Sequence, residues 1–208
     1  MSLLKIDNIS YVIDGTEIVK NHTCVLDAGQ HLLLLGPSGC GKTTLLHVMA
    51  GLLKPTSGDV VFEEVNYRDL ADHALSDLRA AHFGFVFQKI HLIGHLTVLQ
   101  NIELIQQHEN KDQILTMLEE VGLKDQANQL ARDLSQGEAQ RVAIIRALIN
   151  QPKILFADEP TSALDDQNAE RMMALITKLA EENGTTIIAS THDARIKKYF
   201  TNLKEISK

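Results

Sequence analysis

The run Gly36-Pro37-Ser38-Gly39-Cys40-Gly41-Lys42-Thr43 constrains this chain more than any other feature. It fits the pattern G-x-x-x-x-G-K-[ST]. Before it stands His31–Leu35, apolar without alternation, which suits a strand buried on both faces. After it comes a helical pattern from Lys42 to about Ala50, so the loop sits between strand and helix as such a loop requires. Gly36, Gly39 and Gly41 remove side chains, letting successive N–H groups converge on phosphate oxygens. The helix aims its partial positive charge at the same point. Lys42 brings a full charge toward the β and γ phosphates, and the Thr43 hydroxyl is placed to ligate Mg²⁺. A plain glycine-rich turn accounts for neither the lysine nor the threonine. Cys40 reads as a small filler in a tight loop.

Composition narrows the setting. The chain has 208 residues, enough for one large domain or two small ones, with 44% apolar and 23% charged residues, which argues against disorder. The net charge of −7 does not oppose a phosphate in contact with the loop, because it acts mostly from beyond the ~8 Å screening length. The same acidic balance disfavours a nucleic-acid partner. Two cysteines, Cys24 and Cys40, are too few for a disulfide framework and suit a reducing cytosol. Leu3-Leu4-Lys5-Ile6-Asp7 is broken by charge, unlike a signal peptide. The longest purely aliphatic stretch is Leu32–Leu35, far below the ~20 residues of a membrane span. Contact with a membrane is therefore expected to pass through another polypeptide.

The pattern predicts an α/β fold. Leu4, Ile6 and, after a slip, Ile9, Tyr11 and Ile13 alternate with polar residues. Asp14-Gly15 supplies a hairpin turn into Thr16–Val19, and Thr23–Leu26 reads as a further strand. Strands are expected at Val60–Phe62, Phe83–Phe87, Ile154–Ala157 and Thr185–Ser190, with a helix over Asp166–Ala180 and another short one opening at His192. Strands alternating with helices indicate a largely parallel sheet. Between Gln88 and Asn150 the spacing turns helical: Val98, Ile102 and Ile105, then Ile114, Leu118 and Val121, recur three or four apart.

Other candidate residues fall at strand ends. Asp158 and Glu159 follow the apolar strand Ile154–Ala157, and adjacent residues there project in opposite directions. Asp158 is assigned to the Mg²⁺ shell and Glu159 to polarising or deprotonating the attacking water. His192 follows Thr185–Ser190 and should emerge at the same sheet edge, within reach of the γ-phosphate. Gln88 ends another strand, where its amide suits Mg²⁺ or water. His47, His73 and His108 lack such a context and read as surface residues. Ser135-x-x-Glu138 is a capping box at a helix start, and a helix start with a serine and Gly137 is also an anion site.

These residues together resemble the ATP-binding cassette (ABC) ATPases, in family order and over nearly the whole chain. The loop resembles the Walker A motif, Phe85–Gln88 the Q-loop, and Leu134–Gln140 the signature motif. Ile154–Pro160 is similar to Walker B with its catalytic glutamate, Ser162–Asp165 to the D-loop, and His192 to the switch histidine. The resemblance implies a P-loop NTPase with a RecA-like parallel-sheet core, an antiparallel β subdomain and a helical insertion. One domain over 1–208 would divide into 1–88 and 151–208 for the core and 89–150 for the helical part. It implies that Tyr11 stacks on adenine and that Ser38, Cys40 and Thr44 join the loop's nucleotide contacts. It implies ATP and Mg²⁺, with Ser135, Gly137 and Glu138 of one copy closing over ATP held by a second copy. The signature departs from the usual pattern, with Gln136 in place of glycine and Glu138 in place of glutamine.

Leu78-Arg79-Ala80, Gly84–Gln88 and Leu96-Thr97-Val98 look most like the lipoprotein-releasing, macrolide-export and cell-division branch. The expected function is then ATP hydrolysis energising separate membrane permease subunits, in export or extraction from the inner membrane, by a homodimer on its cytoplasmic face. The alternative of another class is a membrane-tethered ATPase that regulates a periplasmic enzyme and moves no solute. A soluble cassette acting on DNA or ribosomes fits the acidic balance poorly.

Overall fold

The computed structural model describes residues 2–108, 110–162 and 164–207. Strands β1 (Ser2–Ile13) and β2 (Thr16–Asp27) form the expected hairpin, with Ile13 paired to Thr16 across Asp14-Gly15. Both turn residues take positive φ, 49° and 75°, as a tight two-residue connection needs. A single strand replaces the two expected between Thr16 and Leu26. The register shifts between Ile6 and Ile9, and Asn8 and Asn21 adopt φ of 49° and 48° there, so the hairpin absorbs its irregularity without breaking. Strands β4 (Ser57–Phe62) and β5 (Val65–Asn66) complete a four-stranded antiparallel sheet in the order β2-β1-β4-β5.

The second sheet is parallel throughout. It contains β3 (Leu32–Leu35), β6 (Phe83–Val86), β7 (Ile154–Asp158), β8 (Thr186–Thr191) and β9 (Asn202–Glu205), in the order β6-β7-β8-β3-β9. Side chains alternate along these strands between two cores. Leu33, Leu35, Leu155, Ala157, Ile187 and Ala189 enter one cluster, whereas Leu32, Leu34, Ile154, Phe156 and Ile188 enter the other. Both faces are covered, which is why the strands carry apolar runs without polar alternation.

Six helices accompany the sheets among the described residues: α1 (Lys42–Met49), α2 (Asp72–His82), α3 (Val98–Glu103), α4 (Lys111–Glu120), α5 (Gln136–Leu148) and α6 (Asp166–Glu182). Helices α3 to α5 lie between β6 and β7 in the chain, where the helical spacing places them. Asn101 is nearly inaccessible and fixes the approach to α3, accepting from the Ile93 amide at 2.7 Å and donating to the carbonyls of Ile93 and Thr97. Helix α2 and strand β9 have no counterpart in the sequence reading. No residue of α2 is fully buried, and only Leu75 and Leu78 pack from it against the core, too short a stripe to mark its period. Strand β9 is a short edge with Leu203 half exposed.

Candidate active site

Register brings the candidate residues to one edge. Leu35, the last residue of β3, pairs with Thr191 of β8, and Asp158, the last of β7, pairs with Ser190. The Gly36 amide donates to the Thr191 carbonyl at 3.3 Å, which ties the start of the loop to the end of β8. The glycine-rich loop, the acid pair and His192 thus leave the carboxyl ends of three adjacent strands, where open α/β sheets gather ligands.

Gly36 and Gly41 are required by their surroundings. A Cβ on Gly36 would stand 2.2 Å from the Ile206 carbonyl oxygen. Gly41 precedes α1 with φ of 96°, and a Cβ there would stand 2.4 Å from the Ile18 carbonyl oxygen on β2. Cys40 is buried and packs into the core beneath the loop. Lys42 is 5% exposed. Its ammonium donates to the carbonyls of Gly36 at 2.9 Å and Pro37 at 3.0 Å and stands 3.8 Å from Glu159 Oε1. Ser38 and Thr43 are exposed and Thr44 is half-buried, all on or directly after the loop.

The two acids have separate surroundings. Asp158 Oδ1 accepts from Thr43 Oγ1 at 2.9 Å and from the Ser190 hydroxyl, so the loop's threonine and the strand's carboxylate meet. Glu159 takes φ of 49°, a left-handed conformation rare outside glycine, held by its amide donating to the Ser190 carbonyl at 2.8 Å. Its Oε2 accepts from Thr191 Oγ1 at 2.9 Å, and its Oε1 lies 2.9 Å from His192 Nδ1. His192 is half exposed and leans on Glu159. Its loop is braced by Asp193, whose carboxylate accepts from Arg195 and Thr161 and is held below the usual range chiefly by the Arg195 hydrogen bonds. Arg195 also reaches Asp166 and the Leu164 carbonyl. Ser190 and Thr191, which hold both acids, escaped the sequence reading; their only signal was the position just before His192.

The remaining candidates lie around this centre. Gln88 is exposed, two residues beyond β6, and together with Glu159 lines a cavity of about 20 Å³. Tyr11 is half-buried on β1 and pairs with Val19, the neighbour of the Ile18 that touches Gly41. Ser135 caps α5 in the predicted capping box: Glu138 Oε2 accepts from the Ser135 amide at 2.8 Å and from its hydroxyl at 2.6 Å. Those hydrogen bonds hold the Glu138 carboxyl below its usual range. Gly137 sits in the first turn, beside a groove of about 380 Å³ between α5 and the start of α6. Of the D-loop, Ala163 lies outside the described residues. His73 and His108 are exposed as expected, but His47 is half-buried, its ring 6.5 Å from that of Phe87. Its Nε2 is buried and has no hydrogen-bond partner among the described residues.

The donor set fits ATP with Mg²⁺. A buried ammonium faces a loop in which no Cβ can replace Gly36 or Gly41 without moving backbone, so the space is shaped for phosphate. Among the described residues no group of three or more His, Cys, Asp or Glu forms a metal cage. One hydroxyl and one carboxylate, Thr43 and Asp158, match an ion that keeps its waters and takes phosphate oxygens as ligands.

Fold and site together define a P-loop nucleotide hydrolase. Residues 19–162 match the family described as ABC transporter. The lipoprotein-releasing system ATP-binding protein LolD of Shewanella denitrificans is 41% identical over 204 residues, 93% of this chain and 88% of its own. A dimeric structure of MJ0796, an ABC transporter cassette of Methanocaldococcus jannaschii, superposes with a TM-score of 0.87 at 34% identity, covering 98% of this chain and 94% of the other. A dimeric post-hydrolysis state of MJ0796 bound to ADP and Pi also gives 0.87, at 35% identity and the same coverage. The chain belongs to the ABC transporter family as an ATP-binding subunit with ATPase activity, using ATP and Mg²⁺. Among its described residues no helix is long and apolar enough to cross a membrane.

Proposed function

We propose that this chain energises separate integral membrane permease subunits through ATP-driven, head-to-tail pairing with a second copy of itself, in export or extraction from the inner membrane. It would act at the cytoplasmic face, held there by the permease. The observation that carries the pairing is that each chain offers two exposed half-sites: the loop around Ser38 and Thr43, and the α5 start at Ser135 and Gln136. Ser135 directs its amide and hydroxyl only to Glu138 among the described residues. Supporting it, the similar MJ0796 structures are dimeric, one with ADP and Pi. The similarity to LolD supports the lipoprotein-releasing direction.

In this reading residues 89–150 form the helical part that carries the signature, set between the core segments 1–88 and 151–208. Lys42 and the N–H groups of Gly36 to Thr44 orient the triphosphate, with Ser38 and Cys40 contributing from the loop, while Tyr11 stacks on adenine. Thr43, Asp158 and Gln88 would hold Mg²⁺, which would supply positive charge to the phosphates. Glu159, fixed by Thr191 and His192, takes the proton of the attacking water. Ser135, Gly137 and Glu138 of the second copy close the site. The variant Glu159→Gln keeps these contacts and removes the base. It should hold ATP, lose hydrolysis and accumulate dimers measurable by light scattering. Hydrolysis at the wild-type rate, or a monomer at saturating ATP, refutes the reading. For the transport step, the chain co-purified with its permease should move cargo across proteoliposomes when ATP is added; active ATPase without movement counts against it.

A further inference from the structure

The cavity beside Glu159 contains a residue that the reading above leaves idle. Its polar lining comes from Gln88, Glu159 and Gln140, and apolar residues such as Ala143, Ile144 and Met172 close it. At about 20 Å³ it exceeds the ~10–15 Å³ that one water needs. Gln140 Oε1 is buried and has no hydrogen-bond partner among the described residues. An orphaned buried acceptor is costly, and native proteins satisfy nearly all of them through protein or ordered water. Gln140 Oε1 and the Glu159 carboxylate oxygens all accept, so these oxygens can be joined only through a donor to both. A water is such a donor, and the Gln88 amide N–H supplies the hydrogen bond its oxygen still accepts.

We propose that Gln140 is a positioning residue for hydrolysis: it holds a single water that donates to Gln140 Oε1 and to the Glu159 carboxylate. Gln140 lies on α5, whose N-cap is Ser135. It also lines the outer groove beside Gln136, Gly137 and Arg141, so it forms the wall between that groove and the inner cavity. The water therefore links the helix bearing the signature to the catalytic carboxylate of the same chain. A shift of α5 when Ser135 meets nucleotide is transmitted to the orientation of Glu159. The inference rests on Glu159 acting as the base.

The test compares the full chain with Gln140→Met and Gln140→Glu in steady-state ATP hydrolysis over a pH series. Gln140→Met keeps volume and helix preference but removes the acceptor. It should lower kcat about tenfold with KM for ATP changed less than about twofold, because orientation is lost while the loop contacts remain. Gln140→Glu should move the acidic limb of the kcat profile upward, since a second carboxylate sharing the water disfavours ionisation of Glu159. An unchanged kcat in the first variant, or a fall matched by a rise in KM, overturns the proposal. If Gln140→Met does not fold, an acidic limb unmoved by Gln140→Glu overturns it alone. Glu159→Gln runs in parallel: its retaining activity defeats the base assignment itself, whereas its inactivity beside a normal Gln140→Met defeats only the water link.

Discussion

Gly39 and Gly41 separate two effects that usually arrive together. Both take positive φ, 76° and 96°, so alanine at either position meets the same kind of backbone strain, about 1 kcal/mol or slightly more. They differ in space. A Cβ on Gly39 meets nothing within 4 Å, whereas a Cβ on Gly41 stands 2.4 Å from the Ile18 carbonyl oxygen, a fixed atom of β2. To reach ordinary contact the loop or the strand must move by nearly 1 Å, and overpacking against backbone adds about 1–3 kcal/mol. For a chain of this size each kcal/mol shifts Tm by about 2–4 °C. Gly39→Ala should therefore lower Tm by about 2–4 °C, and Gly41→Ala, at about 2–4 kcal/mol in all, by about 4–16 °C. Thermal unfolding without nucleotide measures both. Titration calorimetry with ATP gives the second readout: Gly41 precedes α1, so its displacement should weaken binding more than the open-space change at Gly39. Equal Tm losses in the two variants would refute the argument that β2 sets the position of the loop.

Three further outcomes follow from the same geometry. Lys42→Ala should weaken ATP binding roughly ten- to a hundredfold, the effect of one charge-assisted hydrogen bond, and unchanged affinity by calorimetry excludes its contact with phosphate. Glu138→Gln replaces the carboxylate that holds both donors of Ser135 and removes a negative charge from the α5 start; in the Glu159→Gln background it should lower the ATP needed for half-maximal dimer roughly threefold by light scattering, and an identical midpoint refutes the competition. Burial lowers His22, His31 and His82 below the ordinary histidine value, so the folded chain binds fewer protons than the unfolded one as pH falls through about 6.5. Stability is then complete above that pH and declines below it, most directly where His31 Nδ1 must stay unprotonated to accept the Ile187 amide at 3.0 Å. The urea midpoint should drop between pH 7.5 and 5.5; a flat midpoint contradicts the linkage.

What the sequence disclosed follows from how each element is stabilised. The parallel strands are buried on both faces, so Leu32–Leu35 and Ile154–Ala157 announce themselves as apolar runs. The loop is legible because its chemistry needs particular residue types at fixed spacing. Helix α2 leaves no such mark, since it presents no buried residue, and its place is set by contacts such as Arg79 donating to the Gly51 carbonyl at 2.7 Å. The continuous β2 was hidden because Lys20-Asn21-His22 interrupts the alternation, while the pairing with β1 carries the strand through. The site was legible as residues and less so as partnerships. Asp158 and Glu159 could be named from their strand end, but Ser190 and Thr191 are ordinary strand residues until register sets them opposite. Gln140 closes the signature run in sequence, but what sets it apart is legible only in the fold, where its oxygen is buried without a partner among the described residues.

The helix start at Ser135 shows why a structural and a functional reading of one motif need not exclude each other, yet do compete. The capping box uses the Ser135 hydroxyl proton and the Ser135 amide, both directed to Glu138 Oε2. In the pairing proposed above, a phosphate held by a second copy would need the same hydroxyl proton. The helix can release it without unravelling, because α5 also buries Val142, Ile144, Ile145 and Leu148 and does not depend on its cap alone. Under that proposal the arriving phosphate would meet an anionic Glu138 where a neutral amide would be indifferent, so closure would have to turn that carboxylate away from the hydroxyl before Ser135 could donate outward. In the proposed pairing the cap is thus a rest position for the serine, and the same exposed hydrogen bond that satisfies the helix in the single chain would set the threshold for its engagement with nucleotide.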